Sequence, residues 1–438
     1  MLKGFDKMKE LIIGKPYIKD LSTGYVRLCA DISINSEVKT LYYEVEDSYK
    51  EYLCYERVDA FACSLIVRAM ETGLDIVSEA PITDSLLYQL ENYYIPILSD
   101  NRPDLHKITI NCPLIKEQNY NAKGVATGLS GGVDSFYSII KHLNQRVESR
   151  KITHAIFTNI ATLDNDDARI REWFDIRSKK MEIVAKKLHL SYISIYTNMY
   201  KFYPFPYHSY SFYFSPLYIS NAYALQKLIR IFYHSSGVTL NEFSLIKAGD
   251  NAYFDLFNVK CFSSNQVIVY STGTELGRME KLRTISSNKT VQENLSVCAQ
   301  EVTGKGFVDN TKLNCGVCNK CMRTVTELYA IGCLKDFEDI FDLKVFNKNI
   351  GKYIAKTTCI NGHSFNNEYL NELKKKNLLP KTYYFYKALY SPIYHIKNIN
   401  FLRKNTFVRY LYYKFDIDKK LNGYRPDTDD GKNWRDSI

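Results

Sequence analysis

The sequence is short of several things, and each shortage narrows what the protein can be. No run of eighteen apolar residues occurs in its 438 residues, so no membrane-spanning helix is predicted. The first residues alternate charged and apolar side chains, with Leu11-Ile12-Ile13 as the longest early apolar run. They lack the apolar centre of a secretory signal, so the chain is expected in the cytoplasm. No internal repeat and no low-complexity tract is present. Charge of one sign is missing from most of the chain: residues 341–438 hold 19 Lys and Arg against 9 Asp and Glu, and residues 1–340 balance. The formal net charge of +10 therefore belongs to a C-terminal extension. Its Tyr383-Tyr384-Phe385-Tyr386-Lys387 and Arg409-Tyr410-Leu411-Tyr412-Tyr413-Lys414 runs could contact phosphates and stack on bases, or form a solvated face.

What is present describes a folded protein. Hydrophobic residues make up 45% and charged residues 24%, which excludes a disordered, collagenous or coiled-coil chain. The length predicts two or three domains. The 11 cysteines, in a reducing compartment, point to metal ligands or buried thiols rather than disulfides.

Four segments are expected. Residues 1–118 read as a separate α/β domain, with Val26, Leu28, Ala30 and Ile32 alternating, a strand near 41–45, two helical stretches, Asp84 as the cap of the second, and a strand at 107–110. Its Cys29, Cys54, Cys63 and Cys112 lie in apolar surroundings and are expected to be structural. Residues 119–295 alternate strands (124–129, 154–160, 192–197, 243–249, 266–271) with helices such as 168–188. That pattern predicts a parallel sheet wound on both faces, with ligands at the carboxyl ends of its strands. Residues 296–340 are Cys-rich, and 341–438 form the basic extension.

The most informative stretch is Ser130-Gly131-Gly132-Val133-Asp134-Ser135, between a strand and a helix over 136–143. Glycines followed by a helix start present backbone N–H groups and a positive dipole end to an anion. Ser130 and Ser135 add hydroxyl donors, and Asp134 could hold Mg²⁺ beside phosphate oxygens. No Lys follows, so the loop is not a Walker A loop. The second strong signal is Cys315-Gly316-Val317-Cys318-Asn319-Lys320-Cys321, whose spacing suits one metal ion, with Cys298 or Cys333 as the fourth ligand. Zinc is the expected ion. An iron–sulfur cluster is the rival, although Val325 stands where a ferredoxin-type run would carry a fourth Cys.

Ser130 to Ser135 resemble the SGGxDS signature of the PP-loop ATP pyrophosphatases. With one Cys and a C-G-x-C-x-x-C trio downstream, residues 120–335 resemble the 7-cyano-7-deazaguanine synthase (QueC) family. That resemblance implies a five-stranded parallel HUP-like sheet (adenine nucleotide alpha hydrolase-like) with helices on both faces. It also implies a loop that holds the β and γ phosphates of ATP while a substrate oxygen attacks the α phosphate, releasing pyrophosphate. It implies ATP and Mg²⁺ as cofactors, a structural Zn²⁺ held by Cys298, Cys315, Cys318 and Cys321, an Arg after the trio (Arg323), and a crevice Lys (Lys281). Sixteen residues separate Cys298 from Cys315, more than the family usually has. The implied activity is ATP-dependent carbon–nitrogen ligation: adenylation of a carboxylate, on a 7-deazapurine, for amide or nitrile formation. Anti-phage operons are one setting in which extended QueC-like proteins occur.

Weaker candidates accompany these. Asp250 and Lys281 fall where a crevice residue could meet substrate, and Asp164, Asp166 and Asp167 could recruit Mg²⁺ or form an acidic surface loop. The aromatic stretch 200–218, with His208, would suit a purine pocket or a bulky core. Three other readings remain: a tRNA-modifying enzyme of the thiolation or lysidine type using the basic tail, a nucleotide-sugar amidotransferase, and a nucleotide-binding module without turnover. Apart from a deazapurine-like small molecule and ATP, a nucleic acid or protein partner is expected only at the tail.

Overall fold

The computed structural model describes residues 10–116, 118, 120–160, 166–203, 214–246, 251–298, 313–361 and 364–398. Those up to Ile285 form one compact unit and those from Ser286 onward a second.

The first unit opens with strands β1 (Glu10–Ile13), β2 (Tyr17–Asp20), β3 (Tyr25–Ile34) and β4 (Glu37–Glu46). Helices α1 to α3 (Asp59–Thr72, Asp84–Gln89 and Ile95–Asn101) are interleaved with the short strands β5 (Asp75–Val77), β6 (Ile82–Thr83), β7 (Ile110–Asn111) and β8 (Leu114–Ile115). Then come β9 (Gly124–Gly128), α4 (Val133–Leu143), β10 (His154–Thr158), α5 (Asp167–Lys187), β11 (Ser191–Thr197) and α6 (Phe214–Ala224). The unit ends with β12 (Ile229–Ser235), α7 (Asp255–Cys261), β13 (Ile268–Thr272) and α8 (Arg278–Ile285).

Among the described residues, eleven of these strands join in one sheet, ordered β13-β12-β9-β10-β11-β4-β3-β1-β5-β7 with β2 on β3. β13, β12, β9, β10 and β11 are mutually parallel. They are covered by α4 against β9 and β12, α5 against β10 and β11, α6 against β12 and α7 against β13. Strands covered in this way read as apolar runs rather than as alternation; Ala155, Ile156 and Phe157 are all buried. In α5, Ile170, Phe174, Met181, Val184 and Ala185 recur on the buried face, the spacing of an amphipathic helix.

Two sequence expectations change here. Residues 243–246 are not a strand, and 247–249 lie outside the described residues; the fourth parallel strand in chain order is β12. The sequence from Leu217 to Ser236 contains no Gly or Pro, so nothing punctuates the passage from the buried helix α6 into β12, and period alone cannot separate two buried apolar elements. Asp84 does not cap α2. Thr83 precedes it at the N-cap, and Asp84 is the first helical residue, its Oδ1 accepting from its neighbour Ser85 N at 2.7 Å.

Residue 118 is also not a break in the sheet. β4 pairs antiparallel with β11, Tyr196 opposite Glu44, and Tyr43 Oη donates to Ser220 Oγ at 2.9 Å. The antiparallel N-terminal strands thus extend the parallel sheet. Cys29, Cys54 and Cys63 are buried and Cys112 half-buried; burial pushes the Cys29 and Cys112 thiols up to about 11 and Cys54 up to about 12, which makes them poor nucleophiles.

The second unit is helical among its described residues: α9 (Lys289–Asn294), α10 (Asn319–Ile331), α11 (Leu343–Lys356), α12 (Ser364–Lys375) and α13 (Lys381–Asn398). It holds both the Cys-rich segment and the described part of the extension. α11 meets α13 at Gly351, where an added Cβ would lie 2.7 Å from Tyr383 N, so no larger residue fits without separating the helices. Tyr383 is buried while Tyr384 and Phe385 are exposed; the run around Arg409 lies outside the described residues. No described helix is long and apolar enough to cross a membrane.

Candidate functional site

β9 delivers the chain to Ser130–Ser135 at its carboxyl end, and α4 leads away from it. Gly131 has φ +79°, a left-handed backbone that glycine adopts without strain. A Cβ there would lie 3.3 Å from Met181 Cε and Sδ on α5. Gly132 occupies the N-cap of α4. The loop is tied internally: Gly132 N donates to Ser130 Oγ at 3.3 Å, Ser130 Oγ donates to Ser135 Oγ at 3.2 Å, and Ser135 Oγ donates to Gly132 O at 3.0 Å. The buried Arg177 of α5 donates from Nη2 to Ser130 O at 3.0 Å. The peptide before the first glycine is thereby fixed from outside the loop. Such a frame can present the N–H groups at the start of α4 to an anion without reorganising.

Two cations converge on Asp134. Lys281 Nζ donates to Asp134 Oδ1 at 2.9 Å and to Ser236 O at 2.7 Å, with its side chain 1% exposed. Arg278 Nη1 lies 3.5 Å from Asp134 Oδ2. Space for the Lys281 side chain is left by Gly273, φ +90°, where a Cβ would stand 3.0 Å from Lys281 Nζ and Cε. Glu275 anchors the turn before α8: it accepts from Tyr137 Oη at 2.5 Å, from Gly273 N at 3.1 Å and from Lys141. Burial raises its carboxyl, but the Lys141 and Tyr137 hydrogen bonds outweigh this and bring it down to about 2. Sequence reasoning reached Asp134 and Lys281 but missed Arg177, Arg278 and Glu275, which carry no motif.

The loop borders a cleft of about 970 Å³, counting its open mouth. One wall is apolar, with Leu129, Ile156 and Phe157; the other comes from the end of β12, with Tyr233, His234 and Ser235, and from Phe214, Tyr218 and Asp255. Taking the parallel strands in chain order, the sheet runs 3-2-1-4-5 with β9 as strand 1. The chain winds outward from β9 through β10 to β11 and then returns to β12 on the other side. The cleft therefore stands outside the carboxyl ends of β9 and β12, at the point where the winding reverses, which is where such sheets bind ligands.

In the second unit, Cys298, Cys315, Cys318 and Cys321 bring their sulfurs within 4.8 Å of one another. Cys315 Sγ lies 3.8 Å from Cys321 Sγ; a tetrahedral ion with Zn–S bonds of about 2.3 Å places its sulfurs about 3.8 Å apart. The residues present fit a metal such as zinc. Cys318 N donates to Cys315 Sγ and Cys321 N to Cys318 Sγ, both at 3.4 Å, contacts that favour thiolate. The thiols exchange hydrogen bonds that hold Cys298 and Cys318 below, and Cys315 and Cys321 above, the free-thiol value; a bound cation would replace those shared protons.

Cys333, the other candidate, donates from Sγ to Leu328 O at the end of α10 and is not in the cluster. What brings Cys298 in is Asn314, 1% exposed. Its Oδ1 accepts from Val297 N at 2.8 Å and its Nδ2 donates to Leu295 O at 2.9 Å, which ties the stretch of chain before Cys298 to the residue before Cys315. Asn314 had no sequence signal beyond adjacency to the motif. Arg323 lies on α10, two residues after the trio.

The weaker candidates separate. Asp166 caps α5, its Oδ1 accepting from Ala168 N and Arg169 N, and Asp167 accepts from Tyr200 Oη at 2.8 Å and from Lys201; these contacts account for both without a cation. Asp164, Asp250 and His208 lie outside the described residues. Of the aromatic stretch, Tyr200, Phe202 and Tyr203 are buried, whereas Phe214 and Tyr218 reach the cleft.

No protein-family model matches the chain, and no match was found among curated proteins or solved structures.

Proposed function

We propose that the protein is a PP-loop enzyme that uses ATP to adenylate a carboxylate, releasing pyrophosphate, on the way to a carbon–nitrogen bond. The observation that carries this reading is the convergence of a glycine loop, a helix start, Lys281 and Arg278 around Asp134 at the rim of a cleft. Pyrophosphate leaves as a polyanion. N–H groups and cations fixed beforehand where that charge develops stabilise its departure without reorganisation. The apolar wall of Leu129, Ile156 and Phe157 suits a purine ring. Asp134 supplies an oxygen ligand for Mg²⁺, which adds charge at the phosphates when bound. Lys281, held by Asp134 and Ser236 O beside the loop, would supply positive charge for the phosphates. The four-cysteine site takes no part in this chemistry: four thiolates leave a zinc ion no open position, and its role is structural.

For the acceptor, we propose a 7-deazapurine carboxylate, and ammonia or an amine as the nitrogen donor. The test is product analysis after incubation with Mg-ATP, ammonia and 7-carboxy-7-deazaguanine, beside an Asp134→Ala control. Substrate-dependent AMP and pyrophosphate, with a mass change on the deazapurine, are expected. Tight ATP binding with no turnover would remove this acceptor and direct the search to an RNA, whose binding would weaken steeply with salt.

A further inference from the structure

The far wall of the cleft carries a buried ionisable pair that the loop chemistry does not use. His234, at the end of β12, places Nε2 3.1 Å from Asp255 Oδ1 at the start of α7. The side chains are 8% and 2% exposed. Ser215 Oγ donates to the same carboxylate oxygen at 2.5 Å. Burying a carboxylate is costly, and here it is offset by donors from two directions. Both His234 and Asp255 line the cleft.

Their arrangement fixes a tautomer. For Nε2 to donate to Asp255 it must carry the ring proton, which leaves Nδ1 of the neutral imidazole as a proton acceptor. Among the described residues Nδ1 has no hydrogen-bond partner. The position is close to the loop: Tyr233 pairs with Thr127, so His234 stands level with Gly128 on a strand about 5 Å away. Two residues on, Ser236 O holds Lys281. Tyr218 on α6 lies beside His234, ring centroids 6.4 Å apart, and Asp134 lines the same cleft.

The geometry points to His234 as the proton acceptor for the amine that attacks the adenylated carboxyl group, with Asp255 as the residue that orients it. This inference rests on the adenylation reading and assigns the second half of that reaction. The amine nitrogen forms a bond to the acyl carbon, the bond from that carbon to the AMP oxygen breaks, AMP leaves with the electron pair, and the proton lost by nitrogen passes to His234 Nδ1. Adenylation itself involves no proton loss from a carboxylate and makes no use of the pair. The two halves therefore separate.

The experiment measures two rates on the full-length protein: exchange of labelled pyrophosphate into ATP in the presence of 7-carboxy-7-deazaguanine, and amide formation with methoxyamine, a nucleophile that stays unprotonated across neutral pH. In the wild type, amide formation should fall on an acidic limb that exchange lacks. His234→Gln should lower amide formation by about 10²- to 10⁴-fold more than it lowers exchange, the range of general-base catalysis, with the acidic limb gone. Asp255→Asn should act in the same direction by stabilising the wrong tautomer. Equal losses in both rates, or the same acidic limb in both wild-type profiles, would overturn the role of His234. Because the wild-type profiles need no variant, a His234→Gln protein that fails to fold does not rescue the proposal. Absence of exchange in the wild type removes the deazapurine carboxylate as acceptor, and with it this assignment of His234, and is told apart from the other outcomes because it is seen before any variant is made.

Discussion

Lys281 Nζ lies 2.9 Å from Asp134 Oδ1, although the two stand 147 positions apart in the chain. The lysine is 1% exposed and the aspartate 28%, so the pair joins the interior to the rim of the cleft. Asp134 stands in the first turn of α4, and Lys281 is delivered by α8 after the last parallel strand. A buried ammonium needs its partner more than a half-exposed carboxylate does.

Asp134→Ala leaves Lys281 with Ser236 O as its described acceptor and should lower stability by about 3 kcal/mol, the low end of the cost of breaking a buried pair. Asp134→Asn keeps an oxygen there and should melt within a few degrees of the wild type. Lys281→Met should lower pyrophosphate release by at least about 100-fold, the scale of losing one donor at a developing anion. Thermal melts followed by circular dichroism, beside a coupled pyrophosphate assay, separate the two effects.

The two loop glycines should respond differently to alanine. At Gly131 the left-handed backbone and the 3.3 Å approach to Met181 both oppose a Cβ. Gly131→Ala should therefore cost about 1–2 kcal/mol and weaken ATP binding. At Gly132, which is not left-handed and where the Cβ would meet only Ser130 Oγ at 3.4 Å, the same change should be mild. Calorimetric titration with ATP would show the contrast; equal affinities would remove the loop from the binding site.

Metal content discriminates the cysteines. Cys298→Ser should lose the bound metal and melt earlier, while Cys333→Ser should retain both metal and melting temperature within a degree or two. Asn314→Ala should lower metal affinity by about 10- to 100-fold, since it sets the position of Cys298 and contacts Cys321 at 4.0 Å. Acidification should release the ion as thiolates take up protons. Elemental analysis of each dialysed variant measures this, and iron with sulfide in place of zinc would return the cluster alternative.

His142 gives a pH dependence with a definite sign. Burial, reinforced by the neighbouring Lys141, holds its imidazole down to about 4 from 6.5; the ring stacks on Tyr233 with centroids 3.5 Å apart and bonds Thr272 Oγ1. The unfolded chain takes up this proton more readily than the folded one. The neutral ring thus contributes stability that is present above about pH 6.5 and is lost as pH falls toward 4. His142→Gln should flatten the melting temperature against pH within that window; an unchanged slope would assign the loss to other groups.

The local chemistry of the two strong motifs was legible in the sequence because each is a short stretch whose residues act together: the loop from Ser130 to Ser135, and the trio from Cys315 to Cys321. The alternation of strand and helix around them was legible too, since it depends on spacing along one element. What failed was punctuation. β12 follows α6 without a Gly or Pro, so the expected strand at 243–249 fell in the wrong segment, and His234, which carries no motif, gave no signal of its own.

The sequence by itself determined the glycine loop between a strand and a helix, the three clustered thiols, and a mixed α/β chain with a mostly parallel sheet. Only the tertiary structure decided that Cys298 joins the thiols and Cys333 does not, that Arg278 and Lys281 meet Asp134, that His234 faces Asp255, and that the N-terminal strands extend the same sheet through β4 and β11. Backbone turns and helix spacing are set over a few residues and leave a pattern in the chain. Contacts between residues far apart in the chain depend on how strands are ordered side by side, and strand order leaves no local trace.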